Sequence, residues 1–237
     1  MPKSIAIISD IHLSESNQSI TKSFISYITN IAPMHDELYI LGDLFDSWIG
    51  DDDDSEYNKN IIDILGKLGK KTKIYFIAGN RDFLIGNKFC AKTGIKLLPS
   101  IAIVNANNKK FLLTHGDLLL TKDKSYQLMR KVFQNKITKS LFLKLPLIIR
   151  KKLAANARSS SKKLTKNKNI NKFEVDKEYL HKLQNRYKPD FIIYGHIHKT
   201  TVEYINSSIA ISLPDWRENS GAKDVCLANS LYLRLFD

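Results

Sequence analysis

Cysteine is nearly absent from this 237-residue chain: Cys90 and Cys226 form no CxxC pair and show no metal-ligand spacing. That excludes a disulfide framework and a structural zinc knuckle, and it reads both thiols as small buried hydrophobes in a reducing compartment. Missing too is any run of about 20 apolar residues, so no helix is expected to span a bilayer. The start, "MPKSIAIISD", has four apolar residues in succession before a charge, short of the roughly 7 to 15 of a secretory core. The expectation is a protein made and kept inside the cell. No internal repeat is visible. Acid is scarce in one stretch only. Between Lys122 and Lys172 sixteen Lys or Arg face the single acid Asp123. That segment carries +15 of a net +13, so the remainder carries −2.

What is present suits one domain. With 43% hydrophobic residues the chain can bury a sizeable core, and residues 1–237 are read as a single domain with residues 122–172 as a basic, mostly helical insertion. The first half alternates strand and helix signals. "SIAIIS", "ELYIL" and "KIYFIA" read as strands, with "SITKSFISYITNI", "YNKNIIDILGKL" and "FLIGNKFCAKTG" as helices, the last ending at a glycine cap. "IAIVNANNKKFLLTHGD" reads as two strands joined by an Asn-Asn turn. The insertion reads as broken helix followed by a Ser/Lys/Asn-rich loop over 159–172. A helix near 175–187, the strand "DFIIYGH", and a terminal meander of "TTVEYI", "SSIAISL" and "CLANSLYLRLF" complete the pattern. Within the insertion "LFLKLPLIIRKKL" mixes apolar and basic residues at helical spacing around Pro146, which suits an anionic amphiphile or a membrane surface, with nucleic acid as the rival partner.

Polar groups gather where strands are expected to end: Asp10 and His12 in "SDIH", Asp43 in "GDLFD", Asn80 in "GNRD", His115 in "THGD", and His196 and His198 in "GHIH". Ligand sites of α/β sheets lie outside the carboxyl ends of strands. A lone histidine is more often a satisfied core residue, but four of the six histidines fall in these motifs. DxH and HxH are expected to put both side chains on one side of an extended segment. Seven imidazole, carboxylate and amide ligands exceed the need of one ion and suit two, bridged by a carboxylate, a centre fitted to phosphoester or phosphoanhydride hydrolysis. The lack of thiolate favours Mn, Fe or a similar ion over structural zinc.

DxH, GDxxD, GNxD, HGD and GHxH, in this order, resemble the calcineurin-like metallophosphoesterases. That resemblance implies an α/β fold of two packed β-sheets flanked by helices with a di-metal centre at the strand ends. Most members place a histidine after the Asn of GNxD; here Arg81 stands there. "GDLFDSWIGDDD", "GNRDFLIG", "LLPS", "HGDLLLTKDKSYQLMR", "SLFLKLPLIIRKKLA" and the "DW" near the C-terminus are similar to a narrower family, the UDP-2,3-diacylglucosamine diphosphatases of lipid A biosynthesis. The narrower resemblance includes the insertion, which in that family forms a helical lid with a groove for acyl chains. It implies two divalent ions, most simply Mn²⁺, with Asp10, His12 and His198 on one, Asp43 bridging, and Asn80, His115 and His196 on the other. It also implies substrate contacts from Asn80, Arg81, Asp123, Ser161, Thr165, Lys168 and His196, with Asp43, Asn80, Arg81 and His196 in the catalytic role. Thr165 replaces a common Asn, and Tyr194, Ile197 and Lys199 depart from the usual residues of "YGHIHK" without removing a ligand.

That family implies a lipid-linked nucleotide sugar as substrate, no nucleic-acid partner, and a cytoplasmic location peripheral to the inner membrane of a Gram-negative bacterium. Oligomeric state is not readable. The acid run Asp51 to Asp54 is explained by a solvated loop or helix cap. Three other readings compete: a generic metallophosphoesterase acting on a soluble nucleotide or phosphoprotein, a nucleic-acid binder using the basic segment, and an inactive scaffold.

Overall fold

A computed structural model of the chain describes residues 3–167 and 174–216, with the backbone alone over 159–167. The near-continuous apolar runs β1 (Ile5–Ile8), β2 (Glu37–Ile40) and β3 (Lys73–Ile77), with a short edge strand β4 (Lys96–Leu98) that the sequence reading lacked, form an all-parallel sheet in the order β1-β2-β3-β4. Strands that read as unbroken hydrophobic runs are covered on both faces. Here one face packs on the helices α1 (Gln18–Asn30), α2 (Glu56–Gly69) and α3 (Asn87–Thr93) through Ile8, Phe24, Leu38, Ile40, Leu65, Phe76 and Phe89.

The other face meets the second sheet, β5 (Ile101–Ala106), β6 (Lys109–Thr114), β7 (Phe191–Tyr194), β8 (Thr201–Ile205) and β9 (Ser208–Ser212), ordered β5-β6-β7-β9-β8. Ile7, Tyr39, Leu41 and Ile77 interdigitate with Phe111, Leu113, Ile193 and Ile211 between the sheets. The far face of the second sheet is covered by α7 (Lys177–Tyr187) through Leu180 and Leu183. The hairpin β5–β6 turns at Asn107 and Asn108, with φ of 51° and 59°, the left-handed pair of a two-residue turn that asparagine tolerates.

Four expectations are corrected. The end of the described chain is not a meander: β9 pairs parallel with β7 and antiparallel with β8, so the chain skips a position before turning back; "CLANSLYLRLF", with Cys226, lies outside the described residues. Helix α3 begins at Asn87, not Phe83, because Gly86 is extended at its N-cap and the Asp51 carboxylate caps it from another loop, accepting from Gly86 N–H and Phe89 N–H at 3.0 Å each. A cap supplied from 35 residues away leaves no local signal. Residues 159–167 are not loop but the end of α6 (Leu147–Asn167). Lys and Leu are good helix formers, and propagation of an established helix outweighs the weaker preference of Ser, Thr and Asn. As expected, Pro146 separates α5 from α6, its carbonyl accepting from Ile149 N–H and Arg150 N–H at the start of α6. The fourth correction concerns the site.

Between Leu120 and α7 lie α4 (Lys124–Gln134), α5 (Lys136–Leu143) and α6. Neither α4 nor α5 buries a single residue, and Leu128, Met129, Val132, Phe133, Ile137 and Leu141 are exposed on them. Phe142 is an exception, turned against the core of the first sheet's helical layer.

Candidate metal centre

The seven predicted ligands follow the carboxyl ends of β1, β2, β3, β6 and β7, drawn from both sheets. The DxH and HxH pairs do not continue their strands as expected. Asp10, His12, Asp43, His196 and His198 all have left-handed backbone, φ between 51° and 70°. This costs of order 1–3 kcal/mol per residue and persists only where surrounding structure overdetermines it. Hydrogen bonds supply that constraint. Past the strand ends, the loop after β1 zips onto the loop after β2: His12 N–H donates to Asp43 C=O at 2.9 Å, Leu13 N–H to Leu44 C=O at 2.8 Å, and Asp46 N–H to Leu13 C=O at 3.0 Å. Asp82, fully buried, accepts from Gly79 N–H at 2.9 Å and Leu44 N–H at 2.7 Å, tying the loops after β2 and β3 together. A Cβ on Gly79 would sit 2.2 Å from Asp43 Oδ1, and one on Gly195 would sit 2.2 Å from Asp10 Oδ2. Only glycine lets these backbones come so close to the carboxylates.

Two triads result, Asp10 with His12 and His198, and Asp43 with His115 and His196, the ligand atoms of each within 4.8 Å of one another. His12 Nε2 lies 3.2 Å from His198 Nε2, and His196 Nδ1 lies 3.2 Å from His115 Nε2. Two nitrogens each about 2.0–2.1 Å from one ion at ordinary bond angles stand about 3.0–3.4 Å apart. Asn80 Oδ1 joins the second triad, 3.1 Å from His115 Nε2. His115 Nδ1 faces the Leu41 carbonyl at 2.8 Å. A carbonyl only accepts, so Nδ1 carries the proton and Nε2 is turned inward. His198 Nδ1 faces Asp215 at 3.4 Å in the same manner.

The donors fit divalent ions. Asp10 Oδ1 and His12 Nδ1 are buried without a hydrogen-bond partner, an expensive arrangement for a fold unless a cation completes it. Protonated histidines stand in for that cation. Burial opposes charge on His115, but Asp43, Asp10 and Asp117 raise it to about 9. His198, likewise desolvated, is held at about 9 by its contacts with Asp10 and Asp215. Burial pushes Asp43 up to about 7, with Asp82 and Asp10 adding to the rise against the pull of His115 and Arg81. Burial lowers His12 to about 3, helped by Arg81, and His196 to about 4, helped by His115.

Arg81 lies beside the second triad. Its Nη1 donates to Asp46 at 2.7 Å and its Nε lies 3.4 Å from Asp43 Oδ2. Asp123 caps α4, accepting from Tyr126 N–H at 3.1 Å. Ser161 and Thr165 fall on α6 where side chains are not described, and Lys168 lies outside the described residues. Sequence reasoning missed the supports. Asp46, Asp82 and Asp117 were inside quoted motifs, and Asp215 in "DW". Asp117 is buried and receives Arg130 Nε at 2.5 Å. Trp216 stacks edge-on with Phe24 and Tyr27 and donates its backbone N–H to Asp10 C=O at 3.2 Å. The acid run clamps the insertion: Asp52 pairs with buried Arg150 and Asp53 with Lys151 at 3.2 Å.

The family model described as calcineurin-like phosphoesterase matches residues 3–200. The chain belongs to that family. Its two packed sheets with flanking helices are the fold of calcineurin-like phosphoesterases, and its two triads fit the divalent ions such a centre holds. Among relatives, the protein named UDP-2,3-diacylglucosamine hydrolase of Histophilus somni strain 2336 is 39% identical over 225 residues, spanning 94% of this chain and 96% of that one. The protein of the same name from Coxiella burnetii strain RSA 493 is 35% identical over 233 residues, spanning 97% and 96%. That from Haemophilus ducreyi is 39% identical over 211 residues, spanning 89% and 90%.

Proposed function

We propose that this enzyme hydrolyses the diphosphate bond of UDP-2,3-diacylglucosamine to 2,3-diacylglucosamine 1-phosphate (lipid X) and UMP, a step of lipid A biosynthesis. The observation that carries the reading is a likeness to UDP-2,3-diacylglucosamine hydrolases that runs through almost the whole chain, the basic insertion included, on a fold with two convergent N/O triads. Water adds across the P–O–P linkage, its hydroxyl going to one phosphorus while the bridging oxygen leaves on the other phosphate. Divalent ions, when bound, supply a water acidic enough to react near neutral pH and neutralise the phosphoryl oxygens.

The chain's own residues prepare that reaction. Asp10, His12 and His198 would hold one ion and Asn80, His115 and His196 the other, with Asp43 shared between them. The thiolate-free donor set favours Mn²⁺. Arg81, with Nη1 and Nε engaged and its side chain 32% exposed, offers donors to the diphosphate. Asp123, Ser161, Thr165 and Lys168, with Asn80 and His196, contact the nucleotide sugar. Residues 122–172 act as a lid within the single domain, and the exposed apolar side chains of α4 and α5 receive the acyl chains. Among the described residues no helix is long and apolar enough to cross a membrane. Contact with the cytoplasmic face of the inner membrane is peripheral, through this basic and apolar surface.

Incubation of the purified protein with Mn²⁺ and UDP-2,3-diacylglucosamine tests the reading. UMP and lipid X should appear in equal amounts and cease on chelation. Failure to release UMP from an intact, manganese-loaded protein would overturn it.

A further inference from the structure

Asp46 lies outside both triads, yet its carboxylate is only 7% exposed and faces two arginines from different parts of the molecule. Oδ1 accepts from Arg81 Nη1 at 2.7 Å, and Oδ2 lies in ion-pair contact with Arg158 Nη1 without making a hydrogen bond. Arg81 follows β3; Arg158 belongs to α6. The backbone prepares the first contact, because Asp46 N–H is held by Leu13 C=O and Arg81 C=O accepts from Trp48 N–H at 2.9 Å. Arg81 Nε meanwhile reaches to 3.4 Å from Asp43 Oδ2, in the second triad. One carboxylate is thus shared by two guanidiniums, and one of them reaches on to a second carboxylate in the metal site.

As a stability device this arrangement is weak. Both arginines are partly exposed, 32% and 42%, where ion pairs contribute little, while burying Asp46 carries a desolvation cost. As a positioning device it is effective. Arginine keeps many rotamers, and a buried carboxylate that accepts from Arg81 Nη1 and lies in ion-pair contact with Arg158 Nη1 narrows that freedom before the anion arrives. Resting on the diphosphatase reading, we propose that Asp46 is a positioning residue that aims Arg81 of the core and Arg158 of α6 at the same diphosphate, making Arg158 a further substrate-contacting arginine.

Asp46→Asn keeps the shape and removes the charge. On the diacylated substrate kcat should fall about tenfold, less than the roughly 10²–10³-fold of removing an oriented donor outright, because both guanidiniums remain. KM should fall several-fold, because two unneutralised guanidiniums attract the anion without being aimed. Asp46→Glu should restore most of kcat, and Mn²⁺ per chain by elemental analysis should stay at the wild-type level. Arg158→Ala should lower kcat/KM, and adding it to Asp46→Asn should cost little more. Wild-type kcat and KM in Asp46→Asn, fully additive losses with Arg158→Ala, or a loss of bound metal that matches the loss of kcat would each overturn the proposal. If the wild-type protein leaves the lipid substrate uncut, the functional reading falls. Calorimetric binding of pyrophosphate to the manganese-loaded protein then still decides the role of Asp46, with several-fold tighter binding by Asp46→Asn expected and unchanged or weaker binding contradicting it.

Discussion

Asp10, Asp43 and His115 at the strand ends are at most 1% exposed, whereas Leu128, Ile137 and Ile148 on α4 to α6 keep 65–71% of their surface. The first region is overdetermined: strained backbone, glycines with no room for a Cβ, and carboxylates each fixed by backbone donors. The second region buries no residue of α4 or α5 and touches the core mainly through ionic and polar contacts, Arg150 with Asp52, Lys151 with Asp53, Arg130 with Asp117, and Lys139 Nζ to the Phe83 carbonyl at 2.7 Å, with Phe142 against the core and Phe133 stacked on Phe83 as its apolar contacts. Chemistry that must hold ions to fractions of an ångström belongs on the rigid part. A surface proposed to accept flexible apolar chains can be loosely attached. Under the proposed function, the difference separates hydrolysis, on the strand ends, from substrate choice, on the helical segment.

That separation can be broken from the core side first. Asp43→Ala removes the proposed bridge and should abolish turnover, with a loss greater than about 10³-fold expected for a group acting on both ions. A thermal melt should show the fold intact; near-normal turnover by the folded variant would sink the two-ion assignment. Arg81→Lys keeps charge and loses the fork, so about 10²-fold in kcat is expected. Equal rates would mean that charge alone matters.

Smaller effects test how the two regions are joined. Asp51 accepts from Trp48 Nε1 at 3.0 Å and caps α3, so Asp51→Ala should cost about 1–2 kcal/mol in urea unfolding. A stability change within error would show that the acid run is only a solvated loop. The last effect is one of pH. The folded-state values of His115 and His198 are raised to about 9 from 6.5, so their protonated forms stabilise the metal-free protein. That contribution is complete below pH 6.5 and is lost as pH rises through 9. His12 and His196, lowered to about 3 and 4, and Asp43, at about 7, have largely titrated by then. With chelator, the Tm should fall between pH 7 and 9. With Mn²⁺ the imidazoles are already deprotonated, and the Tm should be nearly flat. Parallel curves would contradict ligation by these two histidines.

Much of the core was legible. Parallel strands announce themselves by unbroken apolar runs such as Ile5–Ile8, and the ligands by their place after those runs. The local reason given for the ligand geometry was wrong: period-two alternation predicts an extended DxH, whereas the zipped loops impose left-handed backbone on Asp10 and His12. Nor could the supports be read, because Asp51 caps a helix 35 residues on and Asp46 meets Arg158 across more than a hundred residues. Such partners exist only after folding. In the insertion, composition suggested a loop at 159–167 where α6 continues, and helical spacing could not tell Phe142, turned inward, from Leu141, exposed at 60%.

The division of labour is tested most directly by one ratio, kcat/KM for UDP-2,3-diacylglucosamine over that for its deacylated analogue. It should be measured for the wild-type protein and for the triple variant Leu128→Ser, Ile137→Ser, Leu141→Ser. These side chains are exposed, so each change should alter stability by no more than about 0.5 kcal/mol. An acyl chain gains about 0.8 kcal/mol per buried CH₂, so losing its apolar contacts should lower the ratio by about tenfold or more. The deacylated analogue should be cut at the wild-type rate. Equal losses on both substrates would contradict an account in which the core hydrolyses and the helical segment selects.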